Sequence, residues 1–242
     1  MSRNAKYRQS RKMRMERLEN RSLMAGNIAV QMNGNTLSLQ GDGGDNVVAI
    51  TRGRYGDSNL LFVDGKGTSL NGVSNARLSF SVDSVRNIKA SLGDGIDDLD
   101  LYGDLNLASV DVIMGKGVQD FVHIAAPSRI DSISVIARDT NYARVSIEGN
   151  VTKLNVETGA RRDEVFLKGS INNATVKTGA GNDDLNLKDA QITSLRAEMG
   201  RGRDTVTFVN SSVDTGLING GPGSDKTVKG LRRVSRNFEM FS

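Results

Sequence analysis

The chain has no cysteine, no tryptophan, two prolines and a single histidine in 242 residues, and only 5% of it is aromatic. Without cysteine there are no disulfides and no thiol chemistry, although this names no compartment. Few aromatics leave little for sugar platforms or for the stacking that accompanies nucleic-acid binding. No segment approaches transmembrane length. The best apolar stretch near the start, "SLMAGNIAV", is a poor version of the run that a secretory signal needs. What is abundant is glycine, 27 residues, so the chain is rich in turns without being a proline-rich linker.

The net charge of +4 conceals an asymmetry. Residues 1–26 carry +6 and residues 226–242 carry +4, which leaves −6 on the body between them. The protein is an acidic body with basic ends, so its high pI says nothing about the partners of the body.

A short glycine- and aspartate-rich string recurs along that body. It reads "GDGGDNVVA" from Gly41, "GDGIDDLDL" from Gly93, "GKGVQDFVHI" from Gly115, "GARRDEVFL" from Gly159, "GAGNDDLNL" from Gly179, "GRGRDTVTF" from Gly200 and "GPGSD" from Gly221. From Gly93 the steps are 22, 44, 20, 21 and 21, and the long step hides a degenerate copy in "ARDTNYARVSI" from Ala137. A period of about 21 residues belongs to solenoids.

The residues between these strings keep the same period. Before each one, alternate positions are apolar or small, as in Ile88, Ala90 and Leu92, or Ala174, Val176 and Thr178. After each one a second alternating pair follows, from Leu99 and Leu101 to Val206 and Phe208. Ahead of each first strand stands one more aliphatic: Val85, Leu107, Ile130, Val151, Ile171, Ile192 and Val213. Period two means strands with one face inward, and no helical spacing is sustained anywhere. Stacking strands of this kind one coil apart predicts an all-β fold, a right-handed parallel β-helix of about 21 residues per coil and about nine coils. The expected organisation is a basic segment at 1–26, an N-terminal β region capping the solenoid at 27–86, regular coils at 87–229 and a basic tail at 230–242. The strings are the corners.

In such a corner glycine takes positive φ and aspartate hydrogen-bonds nearby amides, so backbone geometry alone explains the string. The expected ladder is Asp45, Asp97, Asp120, Asp163, Asp183, Asp204 and Asp225. The string also resembles the nonapeptide of RTX toxins, whose stacked loops hold calcium in a shell of several oxygens. That resemblance implies calcium as the one cofactor to consider, with Asp97, Asp98, Asp183 and Asp184 as ligands in the two most acidic corners. Here one motif occurs per coil, and Lys116, Arg161, Arg162, Arg201 and Arg203 intrude where a calcium loop avoids positive charge. Calcium is not expected to be required for folding, and no other cofactor is implied.

No catalytic set emerges. Adjacent carboxylates on a strand point to opposite faces, so neither Asp97 with Asp98 nor Asp183 with Asp184 makes the paired carboxyl groups of a glycosidase. His123, in "DFVHI", falls at an outward strand position and reads as a solvated residue. Parallel β-helices do include polysaccharide lyases and hydrolases, which keeps an enzyme as the competing class, although coils of near-constant length leave little room for a groove.

The N-terminal string "RLENRSLMAG" resembles the L-E-P-R-x-L-L signature of planctomycete surface and secreted proteins. Leu18, Glu19, Arg21 and Leu23 match, Asn20 replaces the proline and Met24 the second leucine. The resemblance implies export or display at the cell surface. The expectation is a non-catalytic extracellular or cell-surface scaffold, structural or adhesive. Its partners would be surface or matrix components, protein or glycan, with self-association a further option and nucleic acid not expected. An RTX-like calcium module and a polysaccharide-acting enzyme are the alternatives.

Overall fold

The computed structural model describes residues 26–54, 57–228 and 231–241, with side chains described as far as Thr227. The N-terminal string from Leu18 to Met24 lies outside these residues. The architecture is a parallel β-solenoid of about 7 turns with about 21 residues per coil, somewhat fewer turns than the nine expected. Among the described residues there is no α-helix, and so none long and apolar enough to cross a membrane.

Two parallel sheets form the long walls. The sheet that follows the corners stacks Val47–Arg52, Asp98–Tyr102 and the first parts of Asp120–Ala137, Ala143–Thr158, Glu164–Lys177 and Asp184–Glu198, then Thr205–Val209 and Lys226–Val228. The sheet that precedes them stacks Thr36–Gln40, Asn87–Ser91, Leu107–Ile113, the second parts of the same long strands, Ser211–Asn219 and Leu231–Phe241. The solenoid therefore continues past 229: the segment expected to be a tail from 230 adds a strand paired on Ser211–Asn219.

Every inward position read from the alternation is buried. Val110 stacks between Ile88 and Ile133, and Val176 between Val156 and Ala197. On the other wall Leu185 stacks between Val165 and Val206, and the third side is closed by Val85, Leu107, Ile130, Val151, Ile171, Ile192 and Val213. Most of these places hold a β-branched or leucine side chain that meets another apolar one a strand spacing, about 4.8 Å, above and below.

Differences in coil length are absorbed on the third side. The register shifts between Ala126 and Arg129, and again opposite Leu167 and Gly169, where Asp189 takes φ 52°. The interior ladders on either side of these bulges stay aligned.

The N-terminal region departs from the repeat by insertion. Thr36–Gln40 and Val47–Arg52 already form a first coil, parallel to Asn87–Ser91 and Asp98–Tyr102. Residues 53–86, inserted after it, carry Leu60–Gly65 and Arg77–Ser81, which pair with each other antiparallel. Asn27–Asn33 runs antiparallel along Thr36–Gln40, and Leu60–Gly65 antiparallel along Val47–Arg52. Both walls thus have their first strand covered by an antiparallel partner, which hides the edge that the parallel stack would present and leaves Asn27–Asn33 and Arg77–Ser81 outermost.

Candidate functional site

Most corners are built on a pair of glycines, although Arg161 stands at the second position of the Gly159–Asp163 corner with φ 110°. Gly200 has φ 94°, and a Cβ there would lie 1.5 Å from the carbonyl oxygen of Gly179 in the coil before. Successive turns are stacked backbone on backbone, and the aspartate two residues after the second glycine of Gly93–Asp97, Gly179–Asp183 or Gly200–Asp204 turns its side chain inward beneath the turn. One carboxylate oxygen then accepts the backbone N–H of its counterpart one coil earlier. Asn46 N–H donates to Asp97 Oδ1 at 2.8 Å and Asp97 N–H to Asp120 Oδ1 at 3.1 Å. Ala143, Asp163, Asp183 and Asp204 donate in the same way to Asp163, Asp183, Asp204 and Asp225 at 2.7 to 3.0 Å.

The first member of this ladder is Asn46 and not Asp45. The register Val47↔Asp98 puts Asn46 level with Asp97, while Asp45 is exposed and its Oδ1 accepts the N–H of Ile96 at 2.8 Å. The ladder also has a gap. In the degenerate corner Ala143 carries no carboxylate, and the Asp120 N–H donates instead to the Tyr142 carbonyl at 2.9 Å.

The second oxygens are the unusual part of the column. Oδ2 of Asp97, Asp120, Asp183, Asp204 and Asp225 is buried with no hydrogen-bond partner, whereas Asp163 Oδ2 accepts the Gly159 N–H at 3.2 Å. Burial disfavours the charged form. It pushes Asp97 and Asp183 up to about 7, helped by the carboxylates of Asp120 in one case and of Asp163 and Asp204 in the other. Asp120, Asp163 and Asp204 are also raised, again chiefly by burial.

Of the four expected calcium ligands, Asp97 and Asp183 belong to this buried column, and Asp98 and Asp184 lie on the outer face of the same wall. Each adjacent pair is split by the pleat. Asp184 Oδ2 accepts from the Arg162 guanidinium at 2.9 Å, and Asp98, held above the usual carboxylate range by burial and by Asp100, faces His123. Among the described residues no three His, Cys, Asp or Glu side chains come together as a metal-holding group.

His123 has partners that the sequence reading did not assign. Tyr102, one coil earlier, places its hydroxyl 2.9 Å from His123 Nδ1 and 3.0 Å from Asp100 Oδ1. A phenol has one proton; given to Asp100, as the geometry has it, it leaves Nδ1–H as the donor to the phenol oxygen, and the neutral imidazole then has its lone pair on Nε2. Burial and Asp100 push the Tyr102 phenol up to about 12. Further along the same face, Phe121 meets Tyr142 edge to face at 6.2 Å, and the Arg144 guanidinium lies 4.8 Å over the Phe166 ring. Arg162 bridges Glu164 and Asp184. The signal for this cluster was a residue's neighbour one period away, legible only once the register is known.

No family model, no curated protein and no solved structure matches this chain.

Proposed function

We propose that the chain is a non-catalytic scaffold of the cell exterior, structural or adhesive in role. One observation carries this reading: the inward carboxylates of the corners are committed to holding the amide of the neighbouring coil, from Asn46 N–H on Asp97 to Asp204 N–H on Asp225. Of the outward ones, Asp184 is paired with Arg162. An acid/base pair for bond cleavage needs two carboxyl groups facing one substrate across a cleft, and the adjacent pairs Asp97 with Asp98 and Asp183 with Asp184 face opposite sides of a wall. Export and display rest on the N-terminal resemblance. The test is to incubate the full chain with uronate-containing and neutral glycans and to follow new reducing ends and unsaturated products. No turnover is expected. Product formation that disappears in Asp98→Ala or Asp184→Ala with the fold intact would replace the scaffold by an enzyme.

Calcium binding at the corners is a second reading, favoured by the unpartnered Oδ2 atoms of Asp97 and Asp183. A cation there would satisfy oxygens that otherwise stay buried and bare. Isothermal titration with calcium checks it: heat of binding lost in Asp183→Asn supports the site, and an unchanged melting temperature between chelator and millimolar calcium removes it.

A further inference from the structure

The two walls of the solenoid present different chemistry to solvent. In the regular coils, the wall that precedes the corners shows no aromatic ring on its outer face among the described residues; polar side chains such as Lys89, Asn155, Thr175 and Arg196 stand there with the aliphatic pair Ile113 and Ile136. The wall that follows the corners carries Tyr102, Phe121 and Phe166, with Tyr142 at its corner edge, all half-buried. In a chain that is 5% aromatic, this concentration over four successive coils singles out one face.

We infer that this outer face, from Asp98 and Tyr102 to Phe166, is a docking surface for a neutral polysaccharide chain. The inference rests on the reading of the protein as an adhesive scaffold and names the partner class for it. Saccharide rings offer apolar C–H faces bordered by hydroxyl groups that both donate and accept, so their binding surfaces need rings interleaved with polar groups held in place. Along one ladder of the face Asp98, Phe121, Arg144 and Glu164 follow one another, and along the next Asp100, His123, Ser146 and Phe166. Neither ladder contains an aliphatic anchor of the kind that fills the centre of a protein–protein interface.

The polar groups are fixed before any ligand arrives. Asp100, Tyr102 and His123 share one hydrogen-bonded chain, and that chain leaves His123 Nε2 as an acceptor for a hydroxyl. Arg144 is held between the Phe166 ring and Glu164, 3.8 Å away. Preorganisation of this kind lowers the entropy cost of binding.

Charge selects for a neutral chain. Toward one end of the face acid and base pair with each other, as Lys168 does with Glu148 at 2.6 Å and Arg162 with Asp184 at 2.9 Å, and at the other Asp98 and Asp100 have no lysine or arginine partner among the described residues, so no positive field is left to recruit a polyanion. Shape selects for a polymer. The depression bounded by Asp98, Asp100, Phe121, His123 and Arg144 is about 290 Å³ and open, too shallow to enclose a small molecule, whereas a repeating ligand gains by engaging successive coils together.

The experiment is affinity electrophoresis of the full chain in gels containing soluble starch, mannan, xylan or mixed-linkage β-glucan, with dextran sulfate as a polyanion. Retardation by at least one neutral polymer is expected. Phe121→Ala and Phe166→Ala should weaken it roughly tenfold, the loss of one well-placed interface side chain. Asp100→Asn, which keeps size and shape, should weaken it without loss of thermal stability, so that a folding defect cannot mimic the result. Thr175→Ala and Lys177→Ala on the opposite wall should leave it unchanged. Retardation by dextran sulfate alone, equal loss in the opposite-wall variants, or no retardation in any gel overturns the inference and leaves the scaffold reading standing. Capture of a defined protein ligand through Phe121 and Phe166, with no neutral polymer bound, also overturns it. Release of new reducing ends would instead break the non-catalytic reading while leaving the docking face in place.

Discussion

The corner at Ala143 has no glycine pair and no carboxylate, whereas the corner at Asp183 has both, yet the strands that leave them lie in one continuous register through Arg144, Glu164 and Asp184. Where the carboxylate is missing, a carbonyl takes the amide of Asp120 instead. Both coils keep the same inward ladders, Val145 and Ile147 in one and Leu185 and Leu187 in the other, all buried. The difference teaches that the apolar ladder specifies the coil, and that the corner motif closes it by a means for which the chain has a substitute.

If that is so, the ladder is where the comparison breaks most severely. Val176→Asp places a charge at a position with 0% exposure, and a loss of about 4 kcal/mol or more is expected in denaturant unfolding. Lys177→Ala, its outward neighbour, should stay within about 0.5 kcal/mol. Equal effects at the two positions would refute the register.

Gly200→Ala comes next, because a Cβ there collides with the Gly179 carbonyl in a left-handed conformation. About 3 kcal/mol of destabilisation is expected, from strain and overpacking together. A neutral outcome would mean that the corner tolerates relaxation as the Ala143 corner does.

Asp183→Ala makes the second corner resemble the first. It removes the acceptor of the Asp163 N–H at 2.8 Å, which costs about 1–2 kcal/mol as a lost buried hydrogen bond, offset in part because an unsatisfied oxygen goes with it. Thermal melts of Asp183→Ala and wild type side by side measure how far a carbonyl takes over.

The finest comparison is Asp183→Asn, which copies the residue found at Asn46. Asn46 Nδ2 donates to the carbonyls of Gly44 and Leu92 at 2.6 and 2.9 Å, so an amide fits this environment without charge. Burial pushes the Asp183 carboxyl in the folded chain up to about 7, from an ordinary value of about 3.9. A raised acid means that the folded state holds the proton more tightly than the unfolded state. Its contribution is fully present below about pH 4 and is lost as pH rises through about 7. The melting temperature of wild type should therefore fall relative to Asp183→Asn between those values, and parallel pH profiles would show that the column does not titrate in this way.

The inward ladders were legible from the sequence because two periods coincide there: alternation along a strand, and a return every 21 residues or so. Val176 and Leu185 needed only their own neighbours to be placed. Asn46 was missed because "GDGGDN" offers Asp45 at the expected offset from its glycine, and the choice between the two is made by pairing to Asp98 across an insertion that hides the register. The cluster at His123 was illegible for a related reason. Its partners Asp100 and Tyr102 lie one coil away, and a cross-strand neighbour is a property of the stack and not of the segment. The unpartnered Oδ2 atoms depend on side-chain placement within the turn, which spacing does not report.

The antiparallel strands over Thr36–Gln40 and Val47–Arg52 give the molecule a direction. In a parallel stack each rung is the template for the next, and stability propagates between nearest neighbours. The covered end starts with a hairpin closed by Gly34 and Asn35 alone, among the least expensive contacts in the chain to form, so that end can act as a seed. Folding is then expected to run as a zipper away from the seed, each coil laid on the one before. The Ala143 coil, where a side-chain clasp is replaced by a main-chain one, is the rung at which such a zipper would pause.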